Sequence, residues 1–461
     1  MRPAARHCRR WLAVLCAMAM TLLSGCAQDD GRTRITVWSW EPSMQLLVDR
    51  FERLNPDVDV TLVEQSDYDL LNQAIQDGYG MPDVAQVEYY ALPQYAVSGQ
   101  LRDITDDTVG YGSFYTPGSW SSVRLDGRTF GVPLDSGPMA FFYNDELFRE
   151  AGVDASQIRT WDDYYRAARK LKDIGVCITS DSGEASFYNS MIWLSGGTPY
   201  HTSRDGKEVS ITLDTDAGTR EFTQFWQRML DEGLVDTTVS TRSQSWRQAV
   251  GDGRIASMFA GAWMASVLMA EVPGGAGLWR VAQMPTKYGN YANAENGGSA
   301  LGVLSSSRKP QAAMRFVDFV CHDVDSIELR VAHGAFPADN ATLGSAAFRG
   351  RTTVADGRGI DIAYFGGQRY NEVFTEAASH VGTRYHYLPF DVYAQEDFHA
   401  TVGAAYQWVR DEADYAHDLQ LYREDRKPEA PFPMVTLHDG ILAWQADLKE
   451  YGTNQGFTVV D

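Results

Sequence analysis

ITVWSWEPSMQLLVDRFERLNPDVDVTLVEQSDYDLLNQAIQDGYGMPDVAQVEYY (35–90) decides the fold. ITVWSW reads as a strand, and Glu41-Pro42 can open a helix. Met44, Leu47, Val48, Phe51 and Leu54 then share one helical face, and Asn55-Pro56 stops it. VDVTLV (58–63) alternates as a second strand, and SDYDLLNQAIQDG is a capped helix ending at Gly78. PDVAQV (82–87) is a third strand. Strand, helix, strand, helix, strand is the order of a parallel α/β sheet with right-handed crossovers. In such sheets ligands sit beyond the carboxyl ends of the strands. The residues there are Trp38 to Glu41, Glu64 to Asp67, and Glu88-Tyr89-Tyr90. These are aromatic, carboxylate and amide side chains where a plain core would place Val, Ile or Leu. Trp38 and Trp40 fall two apart on one strand face. Either can be core or can line a binding place.

Toward the N-terminus, Arg2, Arg6, Arg9 and Arg10 precede a short apolar run, Trp11 to Leu23. That run is too short for a comfortable membrane span. LSGC (23–26) closes it with small residues before a cysteine, the pattern of a bacterial lipoprotein signal. The expectation is a signal over 1–25, acylation at Cys26 and a polar tether over 26–34. An ordinary signal peptide with an incidental cysteine is the alternative. Losing the four arginines takes the formal charge from −21 to −25. Such a charge disfavours nucleic acid and anionic lipid surfaces as partners. Cys177 and Cys321 would remain, far apart in sequence and in apolar surroundings. They could pair outside the cell, but two separate buried thiols are at least as well supported.

Toward the C-terminus the α/β pattern restarts. RTFGVPLDSGPMAFFYNDELFREAG (128–152) gives two strands and a helix start. TWDDYYRAARKLKDIG (160–175) is a helix with a Thr160/Asp163 capping box and Gly175 at its end. AGTREFTQFWQRMLDEG (217–233) is another helix, and GRIASMFAGAWMASVL (253–268) gives strand, glycine loop and helix. GGSALGVLSSS (297–307) reads as a strand crossing back, with QAAMRFVDFVCH (311–322) as a helix after it. A chain that leaves one lobe and returns implies two lobes joined by several crossings. Its length also suits two domains rather than one.

The common catalytic signatures are missing: no P-loop, no His-Glu-x-x-His, no Gly-x-Ser-x-Gly. GDGRIA (251–256) follows a helical stretch rather than a strand, so it reads as a turn and not a dinucleotide loop. The nine histidines show no metal-ligand spacing. Asp67, Glu88, Asp135 and Glu295 occupy expected loop positions. A glycosidase needs two carboxylates flanking a bond, which spacing alone cannot supply. No cofactor or metal is called for.

These segments, in their order, resemble the substrate-binding lipoproteins of bacterial ABC importers for sugars. The resemblance runs over about residues 31–461 and is carried by ITVWSWEP…FERLNPDVDV, PDVAQVEYYALPQYAVSGQLRDIT, GRTFGVPLDSGPMAFFYNDELFREAG with TWDDY, GRIASMFAGAWM, GLWRVAQMP, GGSALGV and YFGGQRYNEVF. It implies a two-lobed α/β fold of the maltose-binding-protein type, each lobe a mixed sheet flanked by helices. The lobes would be 35–138 with 302–350, and 139–301 with 351–461. An oligosaccharide would lie in the cleft between them, be enclosed by hinge motion and be passed to the permease subunits. The implied protein is a lipid-anchored monomer on the extracytoplasmic face, and not an enzyme.

A sugar ring has apolar faces and a rim of hydroxyls, so it asks for aromatic rings and polar tips. On that chemistry Trp40 would stack on a ring with Trp38 beside it, while Glu88 and Gln65 bind hydroxyls. Asp67 is a further candidate that can equally cap the next helix. In the second lobe Trp263 holds the family's aromatic position, with lobe core as its alternative. Gly297 and Gly298 allow close approach of a ligand. Many relatives carry Trp before these glycines; here Asn296 stands there, so one stacking surface is missing or replaced. Glu295, Ser136, Trp193, Phe365 and Gln368 complete the candidates, with a structural turn open for Ser136 and core for Trp193. Three other readings stay open: a surface glycoside hydrolase, a binder of a non-sugar solute such as a polyol, and a sensory partner of a membrane receptor.

Overall fold

The computed structural model describes residues 31–355, 361–421, 428–430 and 433–460. The signal segment and Cys26 lie outside the described residues.

The opening stretch folds as β1 (Thr33–Ser39), α1 (Met44–Leu54), β2 (Val58–Glu64), α2 (Tyr68–Asp77), β3 (Val84–Glu88) and α3 (Leu92–Val97). β1 pairs in parallel with β2 on one side and with β3 on the other. α1 buries Met44, Leu47, Val48 and Phe51. Leu54, expected on the same face, is 63% exposed, because the helix ends there and the chain turns at Asn55. α2 is held at both ends: the Asp67 side chain accepts from the Asp69 and Leu70 amides, and Gly78 closes the helix in the left-handed conformation.

The sheet is completed by β4 (Val132–Pro133) and by β8 (Ser299–Val303), a strand that returns from far along the chain. The strand order is β2-β1-β3-β8-β4, with β8 antiparallel to both its neighbours. One face of this sheet packs on α1 and on α8 (Pro310–Cys321) through Val37, Leu47, Phe51, Leu301, Phe316 and Val320. The other packs under α2 and α3 through Leu71, Ala85, Leu92 and Tyr95.

A second sheet has the order β6-β5-β7, formed by β5 (Met139–Asn144), β6 (Ser257–Gly261) and β7 (Trp279–Ala282). Both neighbours run antiparallel to β5. A parallel bridge between Cys177 and Ile255 lies beside β6, so this lobe too mixes directions. Every residue of β5 is buried, which is why MAFFYN carries no alternation. Around it pack α4 (Trp161–Asp173), α5 (Ala185–Leu194), α6 (Ala217–Asp231), α7 (Met264–Glu271), α10 (Tyr370–Ser379), α11 (Asp391–Ala400), α12 (Gly403–Gln420) and α13 (Leu437–Asn454). α4 carries the complete Thr160/Asp163 capping box. GDGRIA runs from a helix end through a turn into β6, as a turn should. α9 (Val324–Ala332) follows α8 in the first lobe.

Cys177 and Cys321 are free thiols, Cys321 fully buried against the first sheet. Among the described residues no helix is long and apolar enough to cross a membrane.

Candidate ligand cleft

A cavity of about 800 Å³ lies between the two sheets. Its walls come from the ends of β1 and β3, the β4–β5 crossing, the start of α7, the approach to β8 and the loop after α9. This is the place beyond the carboxyl ends where an α/β sheet presents ligands, and its size suits a small-ligand site.

β1 ends at Ser39, so Trp40 belongs to the loop beyond the strand. That loop is pinned by Gln86 of β3, which is buried. Its Oε1 accepts from Ser39 Oγ at 2.6 Å, Trp40 N at 3.0 Å and Glu41 N at 3.2 Å. Its Nε2 donates to Ser299 Oγ at 2.9 Å. Ser299 Oγ in turn donates to Asp135 Oδ1 at 2.8 Å, and Ser299 N donates to the same oxygen at 2.6 Å. One buried amide thus ties the Trp40 loop to β8 and to Asp135 at the crossing.

On the opposite wall Trp263 stands just before α7, its Nε1 donating to Asn296 O at 2.7 Å. Asn296 also accepts from Gly261 N through Oδ1 at 3.2 Å and donates through Nδ2 to Ser190 Oγ at 3.2 Å. The Asn296 main-chain carbonyl thus holds the Trp263 ring, while its side-chain amide braces Gly261 and Ser190. Gly297 and Gly298 both have positive φ, 89° and 93°. A Cβ on Gly298 would meet the Tyr89 ring at 2.5 Å. Glycine is therefore required by the backbone and its packing.

Of the expected residues, Trp40, Glu88, Ser136, Trp263, Gly297 and Gly298 line this cavity together. Asp67 caps α2 and lines an adjoining cavity. The others are placed elsewhere. Trp38 packs with the core under α2, on the side of Leu71 and Ala85. It is paired inside β1, whereas Trp40 has left the strand and lines the cavity. Gln65 folds back on its own loop, Oε1 accepting from Ser66 N and Asp67 N at 2.8 Å. Trp193 is buried, stacked on Tyr385 at 5.0 Å with Nε1 donating to Gly382 O. Phe365 is fully buried in the second lobe's core. Gln368 pairs with the backbone of β7, accepting from Val281 N at 2.9 Å and donating to Val281 O at 2.7 Å.

Glu295 is fully buried beneath the crossing. It accepts from Ser136 Oγ at 2.8 Å, from Gly137 N at 2.5 Å and from Ser119 Oγ at 3.3 Å. It supports the segment that joins the lobes rather than facing the cavity.

Burial dominates the electrostatics. It raises the Glu88 carboxyl even though the Tyr68 hydroxyl donates to Glu88 Oε2 at 3.2 Å. It lifts Asp135 to about 6 and Glu295 to about 7, against their hydrogen-bond donors. The cationic side chain at the cavity, Arg242, is spent on Glu271: its Nε lies 3.1 Å from Oε1. Arg247 reaches the other oxygen of Glu271 at 2.8 Å. The walls therefore offer aromatic faces and hydrogen-bond acceptors, fit for a ligand with apolar faces and donor hydroxyls. Among the described residues no His, Cys, Asp and Glu group could hold a metal ion.

The family model described as bacterial extracellular solute-binding protein matches residues 38–321. The chain belongs to that family. A binding protein of an ABC transporter from B. animalis subsp. lactis Bl-04, solved with beta-1,6-galactobiose, is 46% identical. The match covers 93% of this chain and 100% of that one, with a TM-score of 0.79. The galacto-N-biose-/lacto-N-biose I-binding protein of Bifidobacterium longum, solved with lacto-N-biose, is 25% identical over 94% of this chain and 100% of its own, with a TM-score of 0.73. The lactose-binding protein of Rhizobium radiobacter is 23% identical over 62% of this chain and 69% of its own. This solute-binding protein thus has the two-lobed fold of these relatives, and the cavity lies in its interlobe cleft.

Sequence reasoning missed Gln86, and it noted Asp135 and Asn296 without the hydrogen bonds through which they build the site. Gln86 was detectable as the single amide in a strand, VAQVE, otherwise apolar except at its end. Tyr387, Ser186 and Gln395 also line the cavity, from loops and helices far along the chain that carry no local signature.

Proposed function

We propose that this protein binds a neutral oligosaccharide in the interlobe cleft and delivers it to the membrane subunits of an ABC importer. The observation that carries the reading is the cavity itself. It is walled by Trp40 from one lobe and Trp263 from the other, rimmed by Glu88 and Asp135, and its arginine is already paired. Galactosides are the first candidates, since the 46% identical relative was solved with beta-1,6-galactobiose. Glu88 and Asp135 act as acceptors for sugar hydroxyls, and no bond of the ligand is broken.

The protein works outside the cytoplasmic membrane, held there by lipid on Cys26, as a monomer. The lobes are 35–138 with the return at β8, and 139–298 with the C-terminal region; β8 starts at Ser299 in the first sheet, so the return lies there rather than at 302. Leu343 and Phe348 sit in the second lobe's core, so we place the last crossing at 334–343 rather than at 350.

Calorimetry on the chain starting after Cys26, against beta-1,6-galactobiose, lacto-N-biose, lactose and arabino- and malto-oligosaccharides, tests the reading. One saturable binder recovered unaltered after incubation is the expected result. Release of shorter products would turn the assignment to a hydrolase, and no binder across the panel would remove sugars from it.

A further inference from the structure

A second cavity, of about 470 Å³, adjoins the first. The two share Tyr90, Ser186 and Gln395, which form the throat between them. Together they exceed the roughly 1,000 Å³ that bounds ordinary small-ligand pockets. The second cavity draws on both lobes, with Ser66 and Asp67 on one side and Glu184, Glu396 and His399 on the other. Its wall at the throat is braced by neighbouring side chains. The Tyr90 ring meets Tyr68 edge-on at 6.0 Å, and Gln395 is fixed by donating Nε2 to Asp391 Oδ2 at 3.2 Å.

The lining contains no Lys or Arg. Asp67, Asp69, Glu184 and Glu396 offer hydrogen-bond acceptors there, which sugar hydroxyls match as donors. An anionic sugar would meet uncompensated like charge there. Ser66, Asp69, Glu396 and His399 are exposed, so this chamber leads to solvent, whereas the first is walled by Trp40 and Trp263.

Resting on the sugar-binding reading, we propose that the cleft is built for chains of three or more neutral rings. The end of the chain would sit between Trp40 and Trp263, the third ring would lie past Tyr90, Ser186 and Gln395, and any remainder would leave through the acid-lined chamber.

The test is calorimetry with beta-1,6-linked galactobiose, galactotriose and galactotetraose on the wild type and on Ser66→Trp and Glu396→Trp. These two exposed positions lie on opposite sides of the second chamber only. Far-UV circular dichroism checks that both variants fold. The expected result is about tenfold tighter binding of the trisaccharide than of the disaccharide, lost in either variant, with disaccharide binding unchanged. Equal affinity for all three lengths would overturn the proposal while leaving the disaccharide site standing. So would variants that weaken all lengths alike. If no length binds, the sugar-binding reading falls first and this proposal with it.

Discussion

Trp40 reaches the cleft because Gln86 holds three groups of its loop at once. Replacing that amide with Leu of similar volume strands the Trp40 amide and the Ser39 hydroxyl, while the Glu41 amide keeps Ser39 Oγ at 3.1 Å. Gln86→Leu is expected to weaken sugar binding about tenfold and to cost about 1–3 kcal/mol of stability, read by calorimetry and urea denaturation. Binding that stays at wild-type strength would show that the Trp40 loop does not need this anchor. At this scale the sequence was partly legible. Aromatic and carboxylate tips past the first and third strands pointed to Trp40 and Glu88, both at the cavity. Trp38 and Gln65 stood in equally suggestive positions and turned inward, one into core packing and one onto its own turn. Direction depends on where a strand stops, and β1 stops one residue before Trp40.

At the scale of elements, the early helices and strands announced themselves through periodicity, caps and glycine stops, all local signals. α2 offers a direct check. Asp67→Ala removes the acceptor for two orphan amides and should cost about 1 kcal/mol, measured by urea denaturation. No loss of stability would mean that the cap is replaced by water. The late loop YFGGQ was the harder case: an aromatic and an amide in a glycine-rich loop look the same whether they face a ligand or finish a sheet edge. Here Gln368 completes β7 by pairing with both backbone groups of Val281. Gln368→Ala should therefore lower stability by about 1–3 kcal/mol with sugar affinity unchanged. The reverse pattern, lost affinity at full stability, would put Gln368 back on the ligand.

At the scale of the whole molecule, two lobes were legible from an α/β pattern that restarts and a strand that crosses back. The cleft's distant contributors, Ser186, Tyr387 and Gln395, were not, because only the fold brings them to Trp40. The joined lobes also bury carboxylates. Glu295 and Asp391 are lifted to about 7 and Asp135 to about 6, each by burial. Their folded values lie above the unfolded ones near 4, so the native state binds the extra protons. The stability these groups contribute is then fully present below pH ~4, falls as pH rises from there through about 6 to 7, and levels off above. Asp391 Oδ1, buried without a hydrogen-bond partner, agrees with a carboxyl held protonated. Melting curves from pH 5 to 7 should show Tm falling; a rise over that range would mean these groups ionise at their ordinary values.

The most direct trial of the account is calorimetric titration of beta-1,6-galactobiose, or the best binder of the panel, into wild type, Trp40→Ala and Trp263→Ala. A sugar held between the two lobes predicts about tenfold or greater loss in each variant with the fold intact. Full affinity in both would place the ligand outside this cleft and contradict the account.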